Sequence, residues 1–185
     1  MENRKYFVHP TGKLNQDYQM EDANKNPVYE AKAVKKGILT AWQFEFTECG
    51  TGKTEMHKVG HTVTTEQHTG VGFGALGALG NVASDAAAWL STRSWFKFDG
   101  KKIWDYLHEE GIRIDSKLAE GRLGMAYRVT LKGQDLATLT MAAPDGKKSF
   151  LTGKFWYEVE MKGDNLYLAF LTTFAIARTE QMFYD

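Results

Sequence analysis

The stretch NLYLAFLTTFAIARTEQ, residues 165–181, decides how the chain is expected to fold. It starts with the last residue of Gly-Asp-Asn (163–165), a helix-start signal, and it is apolar on every side from residue 166 to residue 177. Twelve residues in a helix rise only about 18 Å, whereas a helix that crosses a bilayer needs about 20 residues. We therefore predict a buried central helix over residues 165–181, in preference to a membrane span.

Alternating apolar and polar residues predict that most of the remaining chain forms short strands. Residues 42–47 and 155–161 place large apolar side chains at every second position, the period of a half-buried strand. Turns rich in Gly, Asn and Asp separate such runs, because these residues tolerate the positive φ of tight hairpins. The pattern indicates a mainly β antiparallel meander of barrel or sandwich type. Residues 101–111 fit either a short helix or a strand.

Four stretches of this β-meander and its apolar helix carry a resemblance to a known family: YFVHPTGKLNQDYQMEDANKNPVYEAKAV (6–34), AYRVTLKGQDLATLTM (126–141), FWYEVEMKGDNLYLAFLTTFAIARTE (155–180) and the closing MFYD (182–185). Together they resemble the tubby C-terminal-domain-like superfamily, which includes LURP-one-related proteins and phospholipid scramblases. The resemblance implies a closed antiparallel β-barrel of about twelve strands around a buried hydrophobic C-terminal helix. No functional residue of the family can be carried over to this sequence.

Composition limits the classes of partner. The chain has 185 residues, which fits a single domain over 1–185, and its 23 basic and 23 acidic residues balance to a net charge of zero. No global field would attract nucleic acid, so any anion site must be a local patch. Cys49 is the sole cysteine, and residues 1–10 lack the apolar run of a signal peptide. We expect a cytoplasmic protein.

Two glycine-rich stretches imitate nucleotide-binding motifs. Residues 72–77 spell G-x-G-x-x-G, and residues 50–54 look like the tail of a P-loop, but both motifs need a strand that leads into a helix. The surrounding hairpins argue against that context, and no cofactor is predicted. Residues 68–92 are instead interpreted as an insertion, either a mobile loop or a segment that contacts a membrane or a protein partner. Its candidate contact residues are Val71, Phe73, Leu76, Leu79 and Trp89.

Clusters of lysine are the candidate sites for anions or lipid headgroups. They comprise Lys32, Lys35 and Lys36; Lys101 and Lys102; and Lys147, Lys148 and Lys154. No metal-binding set is predicted, because His57 and His61 would lie about 13 Å apart on a strand. No catalytic set is predicted, because the sequence has no G-x-S-x-G motif and no Cys49–His pairing beyond nearness in the sequence. His9, His68 and His108 are interpreted as surface or turn residues.

These observations favour a non-enzymatic intracellular binding module. The resemblance connects such a module to acidic phospholipid headgroups or to a membrane-associated protein partner, with peripheral contact at the membrane. The alternative is a scramblase-like, lipid-active membrane protein that places the C-terminal helix and the 70–90 loop in the bilayer.

Overall fold

The structure, a computed structural model, describes residues 4–11, 17–35, 42–64, 94–118, 125–142 and 156–181. Strands and helices account for most of these residues. In chain order they are β1 (Arg4–Thr11), β2 (Asp17–Asp22), β3 (Pro27–Lys35), β4 (Trp42–Glu48), β5 (Lys53–Thr64), β6 (Ser94–Phe98), β7 (Lys101–Lys102), α1 (Ile103–Glu109), β8 (Ile112–Leu118), β9 (Met125–Leu131), β10 (Gln134–Ala142), β11 (Trp156–Met161) and α2 (Leu166–Gln181).

The described strands form one antiparallel sheet in the order β7-β6-β5-β4-β3-β2-β1-β11-β10-β9-β8. The predicted mainly β, antiparallel fold with a C-terminal helix is therefore confirmed. Closure into a barrel of about twelve strands is not confirmed, because no hydrogen-bonded ladder joins the end strands β7 and β8 within the described residues. The eleven described strands thus form one sheet in which the two end strands, β7 and β8, are not paired with each other.

The helix α2 begins one residue after the predicted start at residue 165. Asn165 caps it, since its Oδ1 accepts a hydrogen bond from the Leu168 amide at 3.0 Å. Three buried threonines donate their hydroxyls to carbonyls four residues earlier, at 2.7 to 2.9 Å: Thr172, Thr173 and Thr179. These bonds satisfy the hydroxyls, so polar side chains can lie in a helix that is buried on every side.

The inner face of the sheet surrounds α2 with aromatic rings. Phe174 of the helix lies 5.0 Å from Tyr18, 5.5 Å from Phe44, 5.3 Å from Phe46 and 5.9 Å from Phe96, measured between ring centroids. Those rings come from β2, β4 and β6, and α2 also contacts β1, β10 and β11. Strands from both halves of the sheet therefore curve around the same helix.

The open question at residues 101–111 is answered by a two-residue strand followed by the helix α1. Ile103 and Leu107 of α1 are buried against the core. After the helix ends, Gly111 adopts φ +89, and a Cβ there would lie 2.8 Å from Lys132 Cγ. Only glycine fits this position without displacing its neighbour, so the chain can turn directly into β8.

A two-residue turn joins β6 to β7. Asp99 and Gly100 have φ values of 49° and 88°, as a type I′ hairpin turn requires. The resulting register places Lys97 of β6 opposite Lys102 of β7.

Across the described ranges, neither helix combines the length and the apolar character that a membrane crossing requires. The predicted insertion at 68–92 lies outside the described residues.

Candidate anion-binding face

Three lysines lie together on the outer face of the sheet, the face turned away from α2. Lys97 alternates with buried Phe96 and Phe98 on β6, and Lys58 precedes buried Val59 on β5. Lys102 of β7 is the direct cross-strand partner of Lys97. All three side chains are exposed. We call Lys58, Lys97, Lys102 and the neighbouring Trp95 the lysine face.

Two further residues shape this face. The ammonium group of Lys102 lies 5.1 Å from the centre of the Trp95 ring, a cation–π arrangement. On β5, Gly60 packs against Lys97, and a Cβ at Gly60 would lie 3.2 Å from Lys97 Cβ. Because Gly60 has no side chain, the surface beside Lys97 stays open between it and Lys58.

The ammonium groups of the lysine face form no ion pairs within the described residues, whereas several other basic side chains do. Ion pairs at 2.7 to 2.8 Å join Arg4 to Asp164, Lys5 to Glu158, Lys53 to Glu55, Arg128 to Asp135 and Lys162 to Glu160. Within the described ranges, no carboxylate lies within 4.0 Å of the ammonium groups of Lys58, Lys97 or Lys102. Like charges directly across two strands are unfavourable unless an anion neutralises them. The arrangement is suited to an anionic group.

The face lies beside the described strand ends that flank, along the chain, the segment interpreted as an insertion. Thr64, at the end of β5, pairs with Ser94, at the start of β6, and the next pair inward is Val63 with Trp95. The described part of β5 therefore ends opposite the start of β6, one residue from Trp95 of the lysine face.

A histidine lies on the opposite side of β5 from Lys58. His57 Nδ1 lies 2.7 Å from Asp99 Oδ2, and the other carboxylate oxygen of Asp99 accepts the Lys58 amide at 2.7 Å. The imidazole stacks on Phe98 with ring centroids 4.5 Å apart. One carboxylate thus connects the histidine directly to the backbone of the lysine face.

The first turn of α2 completes this arrangement. The Tyr167 hydroxyl lies 3.3 Å from His57 Nε2, and Glu55 Oε2 lies 3.7 Å from the same nitrogen. Burial, followed by the charges of neighbouring acidic groups, raises the pKa of Tyr167 well above its ordinary value. The phenol therefore stays protonated and is a poor nucleophile. We call His57, Asp99 and Tyr167 the histidine cluster.

The structure separates the predicted lysine clusters. Lys101 and Lys102 are adjacent on β7, but only Lys102 belongs to the lysine face, because Lys101 forms an ion pair with Glu109 of α1. Lys32 forms an ion pair with Glu30 on β3, and this hydrogen bond raises the pKa of Lys32. The positions that fall outside the described side chains are Lys35, Lys36, Lys147, Lys148, Lys154, Val71, Phe73, Leu76, Leu79 and Trp89.

One prediction about the histidines was wrong. His9 is not a surface residue, since it is only 8% exposed and stacks on Trp156 at 4.1 Å. Its Nε2 lies 3.2 Å from Glu21 Oε1, although the angle does not satisfy a hydrogen bond. Trp156 lies on β11, 147 positions further along the chain. The residues next to His9 in the sequence therefore did not indicate that Trp156 covers its ring. His108, in contrast, is exposed in the last turn of α1.

Sequence reasoning missed Lys58, Lys97 and Trp95, although a signal for Lys97 was present. An Asp-Gly pair between two apolar runs predicts a two-residue hairpin, and that turn fixes Lys97 opposite Lys102. His57 and Asp99 carry no local signal, because 42 positions separate them.

No family model, curated protein or solved structure matches this chain.

Proposed function

We propose that the protein is a non-enzymatic intracellular binding module that binds acidic phospholipid headgroups at the face of a membrane. The lysine face would supply the charge, with each lysine acting as a flexible point charge toward phosphate. A membrane-associated protein partner is the competing ligand, and the experiment below separates the two.

The observation that carries this proposal is the unpaired charge of Lys58, Lys97 and Lys102 in a protein whose net charge is zero. A local positive patch of this kind attracts an anionic surface at close range without a global field. Trp95 adds support, since tryptophan is enriched where protein meets the headgroup layer.

The segment of residues 68–92 would add apolar residues to the same contact, namely Val71, Phe73, Leu76, Leu79 and Trp89. The described strands that flank it end and begin at the pair Thr64–Ser94, next to Trp95. In this proposal the lysine face makes the electrostatic contact, and the segment adds apolar contact with the same membrane. Two weak signals together give more stable attachment than either one alone.

We further propose that the fold is the closed barrel of the tubby-like superfamily. The single antiparallel strand order supports this proposal, as does the enclosure of α2 by strands from both halves of the sheet. The end strands β7 and β8 are connected by α1, which is seven residues long and contacts both of them. Such a short connection favours end strands that lie near each other.

The scramblase-like alternative receives less support. It requires the apolar surface of α2 for lipid, whereas the side chains from Leu168 to Ala177 are buried against the sheet. Exposure of α2 to a bilayer would require the core to open. The binding module needs no such change.

Vesicle co-sedimentation tests the proposal. Parent protein should pellet with phosphatidylcholine vesicles that contain phosphatidylglycerol and remain in the supernatant with phosphatidylcholine alone. The double variant Lys97→Ala/Lys102→Ala should bind about 30-fold more weakly, since each lysine near an anionic surface contributes about 1 kcal/mol. The matched control is Lys5→Ala/Lys162→Ala, which removes the same net charge from ion-paired lysines elsewhere. That control should bind like the parent.

Two results would overturn the proposal. Parent protein that stays in the supernatant with anionic vesicles would exclude the lipid and leave the protein partner as the ligand. Equal weakening by both double variants would show that net charge, rather than the lysine face, governs binding. A variant lacking residues 70–90 measures the share of the apolar segment, and it should retain the charge-dependent part of the binding.

A further inference from the structure

We infer that His57 makes anion binding at the lysine face dependent on pH, with stronger binding in acid. This inference rests on the proposed function and adds its regulation. Histidine is the side chain whose charge ordinarily changes between about pH 5 and 8. The relevant observation is that the carboxylate of Asp99 is shared between His57 and the backbone of Lys58.

The geometry defines the neutral state of the imidazole. Ionised Asp99 can only accept hydrogen bonds, so His57 Nδ1, 2.7 Å from its carboxylate, carries the proton. Nε2 is then the acceptor, and the Tyr167 hydroxyl at 3.3 Å is its donor. In this state Asp99 keeps its full negative charge beside the lysine face.

The same site can also hold the imidazolium. A proton on Nε2 would point toward the Tyr167 oxygen, which can reverse its role and accept, and toward Glu55 Oε2 at 3.7 Å. Asp99 would then form a charge-assisted hydrogen bond with His57. Both states are accommodated without rearrangement of the strands, so protonation changes charge rather than fold.

The charge on Asp99 matters because of its position. Asp99 lies in the turn of the hairpin whose strands carry Lys97 and Lys102. Its Oδ1 accepts a hydrogen bond from the Lys58 amide. Three lysines and one carboxylate leave a local charge of about +2 when His57 is neutral and about +3 when it is protonated. One additional charge within about a Debye length of a bound phosphate strengthens its binding.

Other ionisable groups face His57 from each neighbouring element. Glu55 on β5 is held by Lys53 at 2.7 Å, and Asp99 belongs to the β6–β7 turn. Tyr167 of α2 and Tyr106 of α1 are phenols whose pKa values are raised mainly by burial, so they remain neutral throughout the range. On β4, the neighbour is the apolar ring of Phe46. None of these facing residues is of a type whose charge ordinarily changes between about pH 5 and 8, as that of histidine does.

Co-sedimentation with the phosphatidylglycerol vesicles, at constant ionic strength, tests the inference at pH about 8 and about 5.5. Phosphatidylglycerol is a phosphodiester whose charge does not change over this range. The parent should bind about threefold more tightly in acid. His57→Asn, which keeps a donor toward Asp99 but cannot become charged, should lose this change. His108→Asn, an exposed histidine of α1, is the control and should keep it.

Asp99→Asn provides a second test should His57→Asn fail to fold. Asparagine tolerates the positive φ of this turn, and loss of the carboxylate charge should raise binding at pH about 8 by about threefold. Binding by the parent that does not change with pH would overturn the regulation while leaving the lipid function intact. Absence of binding at both pH values would overturn both. A His57→Asn variant that still strengthens in acid would assign the effect to another group.

Discussion

The two ends of α2 accommodate polar side chains beside an apolar core in different ways. At its first turn, the Tyr167 hydroxyl contacts His57, and the other imidazole nitrogen of His57 contacts Asp99. At its last turn, the guanidinium of Arg178 lies 5.1 Å from the Phe44 ring centre and 5.8 Å from that of Phe96. Burial lowers the pKa of Arg178 from its ordinary value, yet arginine stays charged at physiological pH. Polar groups therefore lie at both ends of an apolar helix, but only one end can change its charge.

The difference teaches where this protein can respond to its surroundings. A fixed cation held between aromatic rings can contribute to stability, but it cannot signal a change of pH. A histidine that shares a carboxylate with a surface strand can do so, because its protonation alters charge without breaking the core. Between the ends, the helix contains no charged residue from Leu166 to Ala177.

The largest expected effect is a charge placed in the middle of the helix. Ala175 is fully buried, so Ala175→Asp would bury a carboxylate that has no partner of opposite charge. The variant should not fold, because the free energy of unfolding would fall by about 5 kcal/mol or more. Ala175→Ser is the control, since its hydroxyl can bond to the carbonyl four residues earlier, as the native threonines do. Circular dichroism melting compares the two. An Asp variant that melts like the parent would show that α2 is not enclosed.

The second effect concerns the aromatic contacts around Phe174. Phe174→Ala removes a ring that touches aromatic residues of β2, β4 and β6, and it should cost about 3 to 5 kcal/mol in unfolding free energy. Phe174→Leu keeps most of the volume and should cost less than half as much. Urea denaturation measures both. Equal losses would mean that ring-to-ring geometry, rather than filled volume, stabilises this part of the core.

The third effect tests the fixed charge. Arg178→Ala should cost about 2 kcal/mol, because it removes both the cation–π contacts and the packing of the aliphatic stem. Arg178→Met keeps the stem and should recover about half of that loss. The difference between parent and Met variant should be the same at pH about 5.5 and about 8, since arginine does not titrate there. A difference that changes over this range would contradict the distinction between the two ends.

The sequence predicted the helix and strands because their signals are local. Apolar residues on every side of 166–177 indicated burial, and alternation in 42–47 gave the correct inner face, with Phe44 and Phe46 buried. Closure of the sheet is a different kind of property, because it depends on how far each strand twists and on which distant edges meet. Alternation is the same in an open and a closed sheet.

The candidate site was only partly accessible to sequence reasoning. Local runs of lysine directed attention to Lys101 and Lys102, but a strand sends neighbouring side chains to opposite sides, so only one of them joined the lysine face. Lys58 and Lys97 were overlooked because the face forms across three strands. The half-buried Arg178 lay within a predicted helix, yet its aromatic contacts come from strands more than 80 positions away.

The smallest expected effect concerns the first turn of α2, where Tyr167 contacts His57. Tyr167→Phe removes the hydroxyl that reaches His57 Nε2 and should cost about 1 kcal/mol at neutral pH. It should also change how steeply the free energy of unfolding falls at alkaline pH, which we call the alkaline limb. Burial raises the pKa of Tyr167 and, together with Glu48, raises that of Tyr29 to about 12. Above about pH 10 the unfolded tyrosines lose their protons while the folded ones keep them, so the stability they contribute is lost as pH rises.

The Phe variant should therefore lose stability less steeply than the parent between about pH 9 and 11, as urea unfolding at each pH would measure. Adding Tyr29→Phe should flatten the limb further, because that phenol lies in the same region, 6.0 Å from Tyr167 between ring centroids. A limb as steep as that of the parent would mean that the first turn of α2 opens to solvent before the sheet unfolds. The histidine cluster would then be a surface feature, and its two ionisation states would no longer be coupled to a buried helix end.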